Sequence, residues 1–261
     1  MTATELFQQG RLQQAIDAQL QEVKAHPADN GKRLFLFELL VFAGELDRAR
    51  RQIEAVAYED PQLELATGQY RKLLDAEQKR HKLRESGPSP RFLTPPPEHA
   101  RLRLEALENL RLRRPTEAKA LLEQADDKAP ELKGTLNDKP FNVLRDCDDL
   151  FGSVLEMVVQ GEYYWVPLEE ITNLSVREPK NPRDLIWAPA RVELKQGSGG
   201  DVFLPALYPG SHASADDTLR LGRATDWTSD DNGPVRGIGA RQLLVEDDAV
   251  NLVECRELRI N

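Results

Sequence analysis

The residues with the clearest chemical potential form one short acidic cluster, Arg145-Asp146-Cys147-Asp148-Asp149. Three carboxylates within four residues could hold a divalent cation, because hard cations take oxygen ligands. The same carboxylates could instead cap a helix or pair with nearby arginines. The sequence has no second acidic cluster of similar density beside a glycine loop, so the spacing favours the structural role. No metal and no cofactor are expected.

Other combinations of reactive residue types also lack the spacing that catalysis needs. Ser211, His212 and Asp216 are close together in the sequence, whereas hydrolase triads are assembled from distant segments around a constrained nucleophile turn. Residues 197–200, Gly-Ser-Gly-Gly, lack a lysine and lie between two predicted strands, which is typical of a hairpin turn rather than a phosphate loop. The four histidines are scattered, with no pair at metal-ligand spacing. The sequence therefore predicts a protein that is not an enzyme.

The overall charge limits the classes of partner. With 35 basic and 44 acidic residues the chain has a formal net charge of −9, whereas binding phosphates requires a concentrated basic surface. No run approaches the roughly 18 apolar residues of a membrane span. The N-terminus has neither a basic leader nor an apolar core, and two cysteines suit a reducing compartment. We therefore expect a cytoplasmic protein that binds neither nucleic acid nor membrane.

The large aromatic and arginine side chains of the second half are candidates for structural contacts. Tryptophan buries a large area while its indole N–H seeks a partner, so at least two of Trp165, Trp187 and Trp227 are expected to be buried. Arginine makes paired contacts with carboxylates that lysine cannot reproduce. We expect Arg145 and Arg183 to form ion pairs within the second half, with carboxylates among Asp146, Asp148, Asp149, Asp184 and Asp226.

The elements that must position these residues begin with helices, which the apolar spacing predicts from residue 3 to about residue 130. Three pairs of residues recur at a separation of 34 residues, and they are Gly10 and Gly44, Ala15 and Ala49, and Pro27 and Pro61. This is the period of the tetratricopeptide (TPR) repeat, in which a glycine permits the turn between paired helices. A third, weaker copy has Ala118 and carries Arg113 where glycine is favoured. We predict a TPR-like helical array over residues 1–135, with an irregular helical bundle as the alternative.

After residue 130 the periodicity changes to that of strands, and residues 136–261 are predicted to form an antiparallel, β-rich α+β domain. Its strands are expected to form a small, barrel-like, partly closed structure or a bent sheet. One hairpin is expected to join residues 154–159 to 162–166, and another to join 185–194 to 201–206. Further strands are predicted at 218–221, 237–245 and 252–260, with a helical turn near 168–171. Between the helices, the Pro-rich residues 86–98 cannot continue a helix and form either a flexible linker or an ordered strap across the helices. The large apolar side chains of Phe92 and Leu93 favour the strap.

Several segments of the sequence, taken in order, resemble the ImpE/SciE family. The similarity runs from about Leu6 to about Gly239. The segments in the first half are 26–29 (His-Pro-Ala-Asp) and 44–49 (Gly-Glu-Leu-Asp-Arg-Ala). Those in the second half are 145–149, 163–167 (Tyr-Tyr-Trp-Val-Pro), 182–190, 207–211 (Leu-Tyr-Pro-Gly-Ser) and 219–227.

The resemblance implies a cytoplasmic accessory protein of a type VI secretion system. It further implies an adaptor that binds the N-terminal helical segment of the small contractile-sheath subunit and is linked to sheath recycling by the ClpV unfoldase. The candidate structural or partner-binding residues are Arg145, Asp146, Asp148, Asp149, Trp165, Arg183, Asp184, Trp187, Tyr208, Asp226 and Trp227.

Two other functions remain open from the sequence. A helical-repeat scaffold for another complex would need the same array of helices, which presents grooves for partner segments. An enzyme would need a site around the Arg145–Asp149 cluster, with Arg183 and Asp184 beside it.

Overall fold

A computed structural model describes residues 1–56, 58, 61–229 and 232–261, and in these ranges the chain is an α+β protein whose helices precede its strands. The helices of the N-terminal region are α1 (Ala3–Gln8), α2 (Leu12–Ala25), α3 (Asn30–Phe42), α4 (Leu46–Glu54), α5 (Pro61–His81), α6 (Glu98–Arg111) and α7 (Pro115–Lys128). One short helix, α8 (Asp217–Arg220), lies among the strands.

Three turns of the helical region share one backbone conformation. Gly10, Gly44 and Arg113 have φ values of +75°, +72° and +58°, and each stands two residues before the start of a helix. Ala15 and Ala49, in the helices that follow the two glycines, are fully buried. The left-handed φ explains the glycines, because an L side chain is strained there. The 34-residue separation of Gly10 and Gly44 thus corresponds to the same turn conformation in the helix pairs α1–α2 and α3–α4.

The strands in chain order are β1 (Gly134–Leu136), β2 (Lys139–Phe141), β3 (Leu144–Asp146), β4 (Val154–Val159), β5 (Glu162–Pro167), β6 (Ile171–Val176), β7 (Trp187–Leu194), β8 (Gly199–Pro205), β9 (Thr225–Thr228), β10 (Arg236–Gly239), β11 (Gln242–Val245), β12 (Asp248–Asn251) and β13 (Glu257–Ile260). Eight form one sheet in the order β2-β1-β13-β6-β7-β8-β4-β5, and the others form a pair, β10-β9, and a triplet, β12-β11-β3. All registered strand pairs in the described ranges are antiparallel.

The second half confirms some sequence predictions and corrects others. Both hairpins form, as β4–β5 and β7–β8, and a 3-10 turn occupies Leu168–Glu170. The strand predicted at 218–221 is wrong, because Asp216 accepts a hydrogen bond from the Thr218 N–H and starts α8 instead. Of the two predicted forms of the domain, the partly closed barrel is not formed in the described residues, where β2 and β5 are the two edges of an open sheet.

Side chains alternate across β4 and divide the core in two. Val154 and Val158 belong to a hydrophobic cluster that includes helix residues such as Leu73, whereas Leu155 and Met157 belong to a cluster within the strands. This period of two is the geometry of an extended strand. Glu156 lies between the two valines, so it faces the helices while fully buried. The shared cluster joins helices and sheet, and the predicted domain division at residues 135/136 stays a prediction.

The Pro-rich segment 86–98 contacts the edge of the large sheet. The Trp165 N–H donates to the Arg91 carbonyl at 2.9 Å, and Arg91 forms an isolated parallel bridge with Tyr164. The Phe92 ring meets the Trp165 ring edge to face, with centroids 6.5 Å apart. The segment therefore lies against β5, in addition to connecting α5 with α6.

Candidate functional site at the junction of helices and sheet

The acidic cluster is held by hydrogen bonds from its own surroundings. Asp146, at the end of β3, accepts the Asp148 N–H at 2.8 Å and the Tyr208 hydroxyl at 2.9 Å through the same oxygen. Asp148 accepts the Gly237 N–H at 2.9 Å and faces Arg236 Nε with both oxygens at 2.9 Å. Asp148 therefore fixes the 146–153 loop to β10, and Asp146 ties it to Tyr208. No group of three or more ligating side chains that could hold a metal occurs among the described residues.

Burial changes the acidity of this cluster. Desolvation raises the pKa of Asp146 to about 7, while the nearby Arg241 guanidinium opposes the shift and the Asp148 carboxylate adds to it. Burial also raises the pKa of the Cys147 thiol to about 11, so the thiolate that reacts or binds metal is disfavoured. The cluster therefore has the chemistry of a structural anchor.

Arg145 forms the type of ion pair predicted for it and one further pair. Its Nη2 atom lies 3.2 Å from Asp149 Oδ1, within the second half, and its Nη1 atom lies 3.2 Å from Asp126 Oδ2 on α7. Asp149 also accepts the Val235 N–H at 2.7 Å. Arg145 therefore connects the last helix of the N-terminal region to the acidic loop.

The expected pairing of Arg183 within the second half is wrong. Its guanidinium pairs with Glu38 on α3, and its Nε donates to the Tyr70 hydroxyl at 2.8 Å. The cause is tertiary packing, because the 3-10 turn Pro182–Leu185 that carries Arg183 lies against α3. Asp184 is used locally instead, where it accepts the backbone N–H groups of Lys180 and Asn181 at 2.9 Å.

The three tryptophans have different environments. Trp165 and Trp187 are 0% and 2% exposed, as expected, whereas Trp227 is 38% exposed. Trp227 lies on β9 with its ring centroid 5.8 Å from that of the buried Tyr208. Asp226 beside it is exposed and accepts the Trp227 N–H. These residues do not form one exposed aromatic row.

A buried ionic network, which sequence reasoning did not find, joins α5 to the sheet. Arg80 donates two 2.8 Å hydrogen bonds to Glu156, Nε to Oε1 and Nη2 to Oε2, and a third, 3.0 Å long, to Glu77. Glu77 accepts the indole N–H of Trp187 at 2.9 Å. Glu156 also pairs with Arg241, which is fully buried. We call these four charged residues, Glu77, Arg80, Glu156 and Arg241, the junction network.

Electrostatics of the junction network favour its ionised form. Burial by itself would raise the pKa of Glu156, but the guanidinium groups of Arg241 and Arg80 outweigh it and lower that pKa. Two buried carboxylates thus face two buried guanidiniums, which removes the cost of an isolated buried charge. Arg241 also lies over the Phe151 ring, 4.4 Å from its centroid.

A second series of polar side chains, close to the Pro-rich segment 86–98, connects the helices to the strands. Glu169 accepts from His99 Nε2 at 2.6 Å, and the Ser153 hydroxyl lies 2.8 Å from His99 Nδ1. These are the residue types of a hydrolase triad. However, Ser153 is 6% exposed and its oxygen accepts from Arg103 Nε at 3.2 Å. A buried hydroxyl between an arginine and a histidine acts here as a hydrogen-bonding centre that ties α6 to the strands.

The two buried carboxylates that sequence reasoning missed, Glu38 and Glu156, do have a signal in the sequence. Glu38 and Glu156 each interrupt an apolar run, Leu-Phe-Glu-Leu-Leu and Val-Leu-Glu-Met-Val-Val. A carboxylate inside such a run must be buried with a partner or lie on the opposite face. The partner cannot be inferred from the run, because Arg80 is 76 residues from Glu156 in the sequence.

Open cavities lie on the outer side of the same junction. A cavity of about 470 Å³ lies between α5 and strands β4, β7 and β8, and one of about 560 Å³ lies between α5 and the β4–β5 turn. Lys72, Gln160 and Gly161 line both. Among the residues that the structure describes, no helix is long and apolar enough to cross a bilayer.

Comparison with known proteins identifies the family to which this chain belongs. Residues 138–259 match the family model described as ImpE protein, and a curated relative matches nearly the whole chain, so this chain belongs to the ImpE family. That relative is the type VI secretion system accessory component TagJ of Pseudomonas aeruginosa, 35% identical over 258 residues, which cover 99% of this chain and 90% of TagJ. The crystal structure of protein VPA1032 from Vibrio parahaemolyticus has the same fold. Its TM-score is 0.90 at 24% identity, and the match covers 99% of this chain and 97% of that one.

Proposed function

We propose that this protein is a non-enzymatic accessory component of a type VI secretion system that acts as an adaptor in the cytoplasm. The observation that carries the proposal is the likeness to TagJ, 35% identity over 99% of the chain. Because the likeness extends through both the helices and the strands, the junction between them is expected to be part of the shared function. Folds alone do not define function, so the proposal depends on this relationship.

The proposed partner is the N-terminal helical segment of the small sheath subunit, and through it the protein is linked to ClpV-dependent sheath recycling. Paired helices support this choice, since helical arrays offer grooves that take a partner helix. The two helices of each pair, α1–α2 and α3–α4, are joined by a turn with a left-handed glycine, Gly10 or Gly44. We propose that they and α6–α7 form a TPR-like array within a first domain, residues 1–135, followed by a second domain, residues 136–261.

The contacts of the acidic cluster support a structural role for it rather than catalysis. Asp146 and Asp148 are 1% and 0% exposed, and both accept hydrogen bonds from the protein. The alternative of an enzyme with a site at this cluster would need carboxylates that reach a substrate. Of the candidate residues, Asp226 and Trp227 are the most exposed and are the ones that we propose could contact a partner directly.

Titration with a defined peptide tests the proposed function. The probe is a fluorescein-labelled N-terminal peptide of the small sheath subunit from the same genome, measured by anisotropy against the purified full-length protein. Saturable binding, absent for a scrambled peptide of equal composition, is expected. Absence of binding would overturn the adaptor proposal in this form. A generic scaffold would instead retain partners in a lysate that lacks the secretion system.

A further inference from the structure

The two-stranded sheet of β9 and β10 has one edge that the chain itself covers. On β10, the Gly237 N–H points away from β9 and donates to Asp148 at 2.9 Å. The Gly239 N–H also points away from β9 and donates to the Ser211 hydroxyl at 2.7 Å. The Gly239 carbonyl accepts the Tyr208 N–H at 2.9 Å. The outer backbone groups of β10 are therefore already hydrogen-bonded.

The outer edge of β9 is open. In an antiparallel pair, successive residues direct their N–H and carbonyl groups alternately towards the neighbouring strand and away from it. The two glycines of β10 are the register partners of Thr225 and Trp227. These two β9 residues therefore direct their N–H and carbonyl groups away from β10. Within the described residues β9 pairs with no strand besides β10, and residues 226–228 are exposed.

Trp227 gives this edge an apolar contact surface. Its ring is 38% exposed and lies against the buried ring of Tyr208, with the two centroids 5.8 Å apart. The Tyr208 hydroxyl is in turn held by Asp146. An aromatic ring that is fixed on one side and open on the other offers contact area at a small cost in conformational entropy. Strand β12 is also an edge of its sheet, but it carries no large exposed apolar side chain in the described residues.

Asp226 determines the charge of a strand that fits this edge. It is exposed, it forms no ion pair within the described ranges, and its Oδ1 atom accepts the Trp227 N–H at 2.8 Å. A second copy of β9, paired antiparallel through Thr225 and Trp227 of both copies, would place two aspartates directly opposite each other, which is destabilising. A basic residue in that place forms a favourable cross-strand pair with Asp226. The net charge of −9 adds to this preference.

We propose that β9 adds an extended segment of a partner protein as a third strand, with a basic residue opposite Asp226 and an apolar residue on each side of it. The backbone of that segment exchanges hydrogen bonds with Thr225 and Trp227, and one of its carbonyls replaces the Asp226 carboxylate at the Trp227 N–H. Because side chains alternate across a strand, one flanking apolar residue packs on the Trp227 ring.

This inference rests on the proposed function in one point, that Asp226 and Trp227 contact a partner. It goes beyond that function because the bound segment is extended rather than helical, and because backbone pairing and charge define which segment fits.

The first test reads the binding mode from single backbone amides. The probe is the acetylated and amidated peptide Ser-Thr-Val-Lys-Val-Thr-Ser, and hydrogen exchange is followed by NMR in the isotope-labelled full-length protein. Saturating peptide is expected to slow exchange of the Thr225 N–H about tenfold. The Asp226 N–H should not change, because it already faces β10. No slowing at Thr225 would overturn the proposal, and so would equal binding of a peptide with both valines N-methylated, which cannot donate to the edge.

The second test concerns side-chain chemistry. A peptide with glutamate in place of lysine should bind the wild type about fivefold more weakly, and Asp226→Lys should reverse this order. Asp248→Lys makes the same substitution on the exposed edge strand β12 and should keep the wild-type order. Trp227→Ala should weaken binding of the lysine peptide about threefold or more. Thermal melts check that all variants fold, and an unchanged order in Asp226→Lys would contradict the pairing.

Failure of this inference and failure of the adaptor function are distinguishable, because the probe contains no sequence of the sheath subunit. If the sheath-subunit peptide binds and the lysine peptide leaves Thr225 exchange unchanged, the adaptor proposal stands and strand addition at β9 is overturned. If only the lysine peptide binds, the reverse holds. If Thr225 exchange slows as the protein concentration rises without any peptide, β9 pairs with a second copy and the inference is overturned.

Discussion

Arg80 on α5 and Glu156 on β4 lie 76 residues apart in the sequence and form a two-point ion pair, with both N–O distances 2.8 Å and both residues buried. The pair joins the helical region to the large sheet through charges rather than apolar side chains alone. Removing one partner leaves the other charged and buried, and this costs more than the pair itself contributes.

The first prediction follows from that asymmetry. Arg80→Met and Glu156→Gln should each lower the free energy of unfolding by about 3–5 kcal/mol, because each leaves an uncompensated buried group. The double variant should lose less than the sum of the two. Urea unfolding measures all three, with Arg259→Met as the control, since the Arg259–Glu257 pair is exposed and should be worth less than about 1 kcal/mol. Single losses below about 1 kcal/mol would contradict the role of the pair.

The second prediction compares two of the arginines that connect the halves, Arg183 and Arg145. Arg183→Lys keeps the charge but loses the planar group that pairs with Glu38, donates to the Tyr70 hydroxyl and lies 4.8 Å over the Tyr70 ring. A loss of about 1–2 kcal/mol is expected. Arg145→Lys should cost less than about 1 kcal/mol, because the Arg145 side chain is 31% exposed and its pairs are screened. Chemical denaturation of both variants checks the order, and equal losses would contradict it.

The third prediction concerns the turn before α7. Arg113 is exposed and has φ +58°, a conformation in which a side chain is strained. Arg113→Gly should therefore stabilise the fold by about 0.5 kcal/mol, after allowance for the greater freedom of glycine in the unfolded chain. The reciprocal change Gly10→Ala, at φ +75°, should destabilise it by about 1 kcal/mol. Melting temperatures that move in the same direction for both variants would show that the backbone conformation does not govern these turns.

The fourth prediction concerns acid. The His212 ring stacks on that of His81, with centroids 4.0 Å apart, and burial lowers the pKa of His212 from 6.5 to about 4, aided by the neighbouring His81. The unfolded chain therefore binds more protons than the folded one between these values. The contribution of His212 to the free energy of unfolding is therefore full above about pH 6.5 and is lost as the pH falls towards 4.

His212→Phe keeps a flat ring without the charge, so it should flatten the loss of stability between pH 7 and pH 5 by about 1 kcal/mol, a value reduced for the partial exposure of the group. Urea unfolding across this range is the measurement, and the exposed His26→Gln is the control. A wild-type profile with the same slope as the His212→Phe profile would rule out this contribution.

The fold was predictable where local signals agree. Residues 154–166 alternate around Gln160 and Gly161, whose φ values of +53° and +88° suit a tight hairpin turn, and the hairpin forms as expected. The strand predicted at 218–221 was wrong. Its β-branched and apolar residues favour a strand, but Asp216 caps the start of a helix there. Both segments therefore contain a local signal for the structure that they adopt, and only at 218–221 does a strand signal compete with it.

The site was predictable only in part, because its contacts cross the whole chain. The burial of Trp165 and Trp187 follows from residue type, as does the pairing of Arg145 with a nearby carboxylate. Nothing local to Arg183 indicates that its partner is Glu38, 145 residues away. The three-dimensional meeting of α3, α5 and the strands decides these pairs.

The bridge between Arg91 and β5 also affects how this protein behaves at high concentration. An uncovered edge strand has unpaired N–H and carbonyl groups that can template pairing with another molecule and lead to aggregation. At one edge of the eight-stranded sheet, the Arg91 carbonyl already occupies the Trp165 N–H. At the other edge, β2 is three residues long and contains Pro140, which has no N–H to donate. Both edges of the large sheet are thus protected against strand addition by a second molecule, so this sheet does not template aggregation at high protein concentration.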